Sequence, residues 1–215
     1  MTPLRARLRD GVGVTVGRGH SRARILAAAI DAFAETGVSA TRVEDILVAA
    51  DVSRRTFYQH FADKVAVVHA IFDLVTQHLA TTFSAAVART NDPLVAIDEA
   101  LQTYLELHRT DRDIVRALLE ESLRIDSPLY KLRMRFRRDI SRTLDAMFVA
   151  MAGRQLDPFV ALALVSAVEG ISFELVSGPC TRAEQARAHA VIASLIALAC
   201  AHPGEVPGRP AEQRR

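Results

Sequence analysis

Only two cysteines, Cys180 and Cys200, occur in 215 residues. Two cysteines do not make a disulfide framework, which excludes a small stapled scaffold. Long apolar runs are missing as well. Val191 to Ala201, broken by Ser194 alone, falls short of the ~20 residues that a membrane helix needs. The amino-terminal arginines have no apolar segment behind them, so no signal peptide is readable. Strand-like alternation of any length is absent. No His-Glu-x-x-His, Cys-x-x-Cys or Gly-x-Ser-x-Gly appears, and no Gly-Lys-Ser/Thr follows the glycines at 11, 13 and 17, so catalysis finds no support. His60, His69 and His78 are nine residues apart. On a helix that is about 900°, which puts neighbours on opposite faces and makes a poor metal cluster. The expectation is a cytoplasmic globular protein with no metal, no cofactor, no enzymatic activity and no membrane contact.

What is present fits a packed globule: half the residues are hydrophobic and 24% are charged, well clear of the disordered regime. The net charge of +2 says little until it is divided. Met1 to Arg24 holds six arginines against Asp10, a net of +5, whereas Ile71 to Cys200 holds 14 basic and 16 acidic residues, a net of −2. The amino-terminal end is suited to a polyanion and the remainder to something else.

The period is helical from Ser21 onward. Ile25, Ala29, Ile30 and Phe33 recur at three and four residues, and Gly37 stops the segment. Thr41-Arg42-Val43-Glu44 reads as a capping box opening a short helix from Val43 to about Ala50. Asp51 sits where the chain turns, in a conformation that Asp tolerates better than most residues. Ser53 is a second N-cap, opening a helix from Arg54 to Phe61. Two short capped helices behind one packing helix form a helix-turn-helix unit. Further helices are expected at about 64–88, 94–109, 111–125, 128–152, 157–177 and 181–201, with prolines 93, 128, 158 and 179 at the breaks. The whole is all-α with about nine helices. It divides into a flexible basic arm (1–20), a helix-turn-helix domain (21–67), a larger helical domain (68–201) and a disordered tail (202–215).

The stretch from Arg24 through Thr36-Gly37 to Thr41-Arg42-Val43-Glu44-Asp45-Ile46, with Asp51-Val52-Ser53-Arg54-Arg55-Thr56-Phe57-Tyr58-Gln59-His60-Phe61-Ala62-Asp63-Lys64, resembles the opening of the tetracycline-repressor (TetR) family. The match covers about residues 21–70. It implies a dimeric, ligand-responsive transcriptional repressor that binds double-stranded DNA and is released by a small-molecule effector. The alternative is a helical ligand-binding or partner-binding protein of the same fold without operator recognition. Asp51 stands where the family has a turn glycine, and Arg55 where a small residue is common.

The residues agree with such a role. Phe57 and Phe61, four apart, face inward onto Phe33 and Ile46, leaving Arg54, Arg55, Thr56, Tyr58, Gln59 and His60 outward. That set suits major-groove readout: arginine for guanine, glutamine for adenine, the threonine methyl or tyrosine for thymine. Phosphate contacts are expected from Thr41, Arg42, Ser53, Tyr58 and Lys64, several at helix N-termini. Arg18 and Arg22 of the arm are candidates for the minor groove.

In the larger domain, Ala183, Ala186, Ala190, Ala193, Ala197 and Ala201 form a seam of small residues. Phe159, Leu162, Val165, Val168 and Leu175 offer a facing stripe, and the resemblance implies that both helices pair with their copies in a homodimer. Tyr104 and His108 share an apolar stripe with Leu94, Ile97 and Leu101. Glu169 lies between Val165 and Phe173. Polar groups on apolar faces are what a pocket uses to orient a ligand, so Tyr104, His108, Glu169 and Phe173 are ligand-site candidates. A core histidine and an interface ion pair are the competing readings of His108 and Glu169.

Overall fold

A computed structural model describes residues 18–90, 92–153 and 155–201. The described residues form nine helices: α1 (Arg18–Thr36), α2 (Val43–Ala50), α3 (Arg54–Tyr58), α4 (Lys64–Arg89), α5 (Pro93–Thr110), α6 (Arg112–Leu123), α7 (Pro128–Ala152), α8 (Pro158–Ser177) and α9 (Arg182–Ala201). α1 begins at Arg18, so the last three residues expected in the arm are helical. The rest of the arm and the tail after Ala201 lie outside the described residues.

Short polar side chains set the boundaries. Asp63, Asp92, Ser127 and Asp157 each accept a hydrogen bond from a backbone N–H two or three residues on, satisfying donors that the first turn leaves orphaned. Proline occupies the first position of α5, α7 and α8, where its missing N–H is not needed. Gly37 ends α1 at φ +82°, with its N–H on the Phe33 carbonyl at 2.9 Å. Asp51 turns α2 into α3 at φ 47°, ψ 54°. Arg24 Nη2 holds that turn from α1, donating to the Asp51 carbonyl and carboxylate at 3.0 Å each.

The expected capping box is displaced by one residue. Thr41 is buried, and its hydroxyl points back to the Gly37 carbonyl at 2.8 Å. The carboxylate that reaches back is therefore Asp45, which accepts from the Arg42 N–H at 2.8 Å. Glu44, the residue expected there, faces Arg54 instead.

One core joins the helix-turn-helix to the helices behind it. Phe33, Ile46, Phe57 and Phe61 pack with Val67, Val68 and Ile71 of α4, and also with Ile114 and Leu118 of α6 and Leu129 of α7. A second core gathers Leu101 and Leu105 (α5), Phe148 (α7), Leu164 and Leu175 (α8), and Ile192 and Ile196 (α9). By length and mean hydropathy, α4 (1.2) and α8 (1.9) are apolar enough to cross a membrane, contrary to the reading of the longest apolar runs. Both contribute buried residues to these cores.

The stripe expected on α8 is rotated. Val165 and Leu175 are buried in the chain's own core, while Phe159 (80% exposed) and Leu162 stand outward. Burial follows α8's contacts with α5, α6, α7 and α9. On α9, Ala183, Ala186, Ala190 and Ala197 are exposed and Ala193 partly so, with Val191, Leu195 and Leu198 exposed beside them.

Phe57 is fully buried and carries the recognition segment on its back. Phe57→Ala is expected to lower unfolding free energy by about 3–5 kcal/mol. Chemical denaturation followed by circular dichroism checks this, and a loss below 1 kcal/mol would show that α3 is not mounted through this ring.

Candidate nucleic-acid interface

Ser53 starts α3 by accepting from the Thr56 N–H at 3.0 Å, and its hydroxyl also pairs with the Thr56 hydroxyl at 2.9 Å. That cap and the buried Phe57 and Phe61 leave one face of the short helix outward. Arg54, Arg55, Tyr58 and Gln59 are exposed; Thr56 and His60 are half-buried. Phe57 meets Tyr58 edge-on, with ring centroids 5.3 Å apart, which fixes the phenol on the outer side. Arg55 has no ion pair among the described residues. Arg54 pairs with Glu44 of α2, both half-exposed, an arrangement that water screens and that a stronger anion can replace.

Arg42 is exposed and pairs loosely with Asp45 at 3.4 Å. The first turn of α2 carries Glu44 and Asp45. Backbone N–H at Arg42 holds Glu44's neighbour Asp45 below the ordinary carboxylate range, and the helix's own backbone does the same for Glu44. The α2 N-terminus is thus filled by the chain's own carboxylates, unlike the open anion site expected there.

Two expected phosphate ligands are placed elsewhere. Thr41 is only 1% exposed, so its side chain has no surface to offer. Lys64 Nζ donates to the carbonyls of Val38, Ser39 and Thr41 at 2.7, 3.1 and 2.6 Å, using all three ammonium donors. Nothing in the local sequence announces this, because the acceptors are backbone atoms 23–26 residues away. Arg22 belongs to α1, with its guanidinium 5.3 Å from the Phe61 ring centroid, rather than to a free arm.

Of the candidates in the larger domain, Tyr104 and His108 are in contact and Tyr104 lies in the field of Glu169. His108 is buried; its Nδ1 lies 2.8 Å from the Tyr104 carbonyl, and the two rings are 4.2 Å apart. Burial pushes Tyr104 up to about 12 against a hydrogen bond with Ser172, with the Glu169 charge adding to the rise. Glu169 is bridged by Arg133 and Arg137 of α7, so the ion-pair reading of Glu169 is the one observed, within the chain. Phe173 is half-buried one turn further along α8. Nothing in the sequence singles out Arg133 and Arg137, because a basic run on a helix reads first as a solvated face.

Residues 25–71 match the family described as bacterial regulatory proteins, tetR family. An HTH-type transcriptional repressor of Mycobacterium tuberculosis is 33% identical over 131 residues, 61% of each chain. The match thus spans under two thirds of that relative. A TetR-family regulator from Streptomyces coelicolor shares the fold with a TM-score of 0.72 at 15% identity, over 95% of this chain and 98% of that one. One from Syntrophomonas wolfei does so at 0.75 and 14%, over 88% and 100%.

Two measurements follow from this geometry. Lys64→Met is expected to lower stability by about 1.5–3 kcal/mol, the range for hydrogen bonds to a charged group, while leaving the salt dependence of DNA affinity unchanged. A shallower salt slope would instead make Lys64 a phosphate contact. His108 is held at about 4 against an ordinary 6.5, mainly by desolvation. A base depressed in the folded state is protonated first in the unfolded chain, so stability falls as pH drops from 6.5 toward 4, by on the order of 3 kcal/mol. Carboxylates such as Glu106, held at about 2 by Arg109, lose their contribution only below about 4.5. Between pH 7.5 and 4.5 the difference between the natural chain and His108→Leu therefore reports this histidine, and the variant should show the flatter slope. The helix-turn-helix geometry and the matched segment agree: residues 25–71 are similar to the tetR family of bacterial regulatory proteins, and the chain shares the fold of TetR-family regulators.

Proposed function

We propose that the protein is a homodimeric repressor that binds a palindromic duplex operator and is released by a small molecule. The observation that carries this reading is α3: a capped helix, anchored by Phe57, with Arg54, Arg55, Tyr58 and Gln59 outward. Arginine matches the paired acceptors of guanine and glutamine the donor and acceptor of adenine. Arg42 and Tyr58 are placed to meet the backbone, as is Ser53 at the helix start. Thr56 and His60 line the edge of the same face. The relative's name as a repressor supports the same role. Residues 21–67 are the reader and residues 68–201 the sensor and dimer module.

Dimerisation is supported by Phe159 and Leu162 on α8 and by Val191, Leu195 and Leu198 on α9. These large apolar side chains are exposed on the outer faces of two helices that pack together. A reader of palindromes needs two recognition helices about 34 Å apart, which a second copy on this surface supplies.

A gel shift on the DNA upstream of the protein's own gene tests the reading. A saturable shift over random competitor, weakening steeply with salt, is expected. Gln59→Ala and Arg55→Ala should each weaken specific binding by roughly 10- to 100-fold, at about 1–3 kcal/mol per base contact. Leu198→Glu should convert the dimer to a monomer in analytical ultracentrifugation and abolish the shift. No saturable shift at low salt would defeat the repressor and favour a partner-binding protein of the same fold.

A further inference from the structure

α7 points two arginines one turn apart, Arg133 and Arg137, at a single carboxylate. Arg133 reaches Glu169 with Nε at 3.2 Å and Nη2 at 2.8 Å. Arg137 bonds the same carboxylate and donates to Ser166 Oγ at 2.9 Å. All three side chains are less than one fifth exposed, so the cluster holds an uncompensated positive charge partly out of water. Tyr104, its ring 4.2 Å from that of His108, lies within the field of Glu169 and Arg133 and so connects this cluster with His108. The bond from His108 to the Tyr104 carbonyl requires the proton on Nδ1. Nε2 is then a bare acceptor, and it is buried without a hydrogen-bond partner among the described residues. A buried acceptor left unpaired is a standing loss of stability, as is a charge without its counter-ion.

We propose that this cluster is the sensor's receptor for a small organic acid. The ligand's carboxylate takes the guanidinium pair of Arg133 and Arg137 in place of Glu169, and its hydroxyl or N–H donates to His108 Nε2. The inference rests on the sensor role assigned to this domain. The guanidinium fork matches carboxylate geometry, and the surplus charge selects an anion. A cation would find only Glu169, already claimed twice. Displacing Glu169 undoes the α7–α8 bridge beside the exposed stripe of α8, which gives the acid a route to the dimer surface.

Thermal unfolding of the full-length protein with 4-hydroxybenzoate, and with 4-hydroxybenzamide as its uncharged counterpart, tests this. The acid should raise the midpoint saturably, with half-saturation at least about tenfold below that of the amide. Glu169→Gln, which vacates the receptor, should be less stable and should regain its midpoint with the acid. Arg133→Met should weaken the acid's effect by about tenfold or more. The site is overturned if acid and amide act alike, or if the effect survives in an Arg133→Met/Arg137→Met variant. It is equally overturned if neither the natural chain nor Glu169→Gln responds by about 10 mM, where a millimolar site is saturated. Gel shifts on the same samples separate the two levels. DNA retention without an acid response defeats the receptor alone; no DNA binding defeats the repressor reading.

Discussion

The loop between α1 and α2 is held by one ammonium group. Helix C-termini leave carbonyls without partners, and Gly37 and Thr41 satisfy only some of those at the end of α1. Lys64, the first residue of α4, reaches back to the Val38, Ser39 and Thr41 carbonyls. A lysine is suited to this because its three donors rotate independently, whereas the flat fork of arginine does not converge on three carbonyls. The consequence is geometric. α4 cannot shift along its axis without dragging the loop that positions α2, and α2 sets the angle of α3. In a chain that otherwise uses arginine for nearly all its positive charge, Lys131 is the only other lysine.

The opposite side of the same loop meets the larger domain. Ser39 Oγ donates to Glu121 at 2.9 Å and accepts from Arg124 at 2.5 Å. A cavity of about 190 Å³ lies beside this contact, walled by Val38, Ser39 and Lys64 on one side and by Glu121, Pro128 and Leu129 on the other. The loop is thus clamped between α4 and α6. Ile114, Leu118 and Leu129 sit in the same core as Phe57, so a boundary drawn at residue 67 follows the chain but not the packing.

Helix positions and the reading face were legible because they rest on local rules. Caps, prolines and Gly37 act within a few residues, and Phe57 and Phe61 follow the helical period. Asp51 in the left-handed region was equally readable, although Arg24, which clamps it, was not. Long-range choices were hidden. Thr41 and Glu44 have the right spacing for a capping box, but a buried carbonyl competed for the threonine hydroxyl and Arg54 competed for the glutamate. Lys64 looked like a phosphate ligand because its partners are backbone atoms, which every residue has. The buried side of α8 is not legible because both sides of that helix are apolar, and periodicity alone does not say which side the chain keeps for itself.

In the proposed repressor, the joint constrains how the sensor acts on the reader. A ligand shifts an equilibrium only by the difference in its affinity for the two states, so binding must be tied to an element that differs between them. α3 cannot be that element alone, since Phe57 is fully buried in the shared core and close-packed interiors resist gradual deformation. The junction is better suited. It pairs polar contacts that can be exchanged, at Ser39, Glu121 and Arg124, with a cavity that leaves room for movement. α7 begins at that cavity with Pro128 and Leu129 and carries Arg133 and Arg137 within its next three turns. One continuous helix therefore runs from the charged cluster of the sensor to the clamp on the reader, and a small rotation of α7 reaches both ends without any rearrangement of either core.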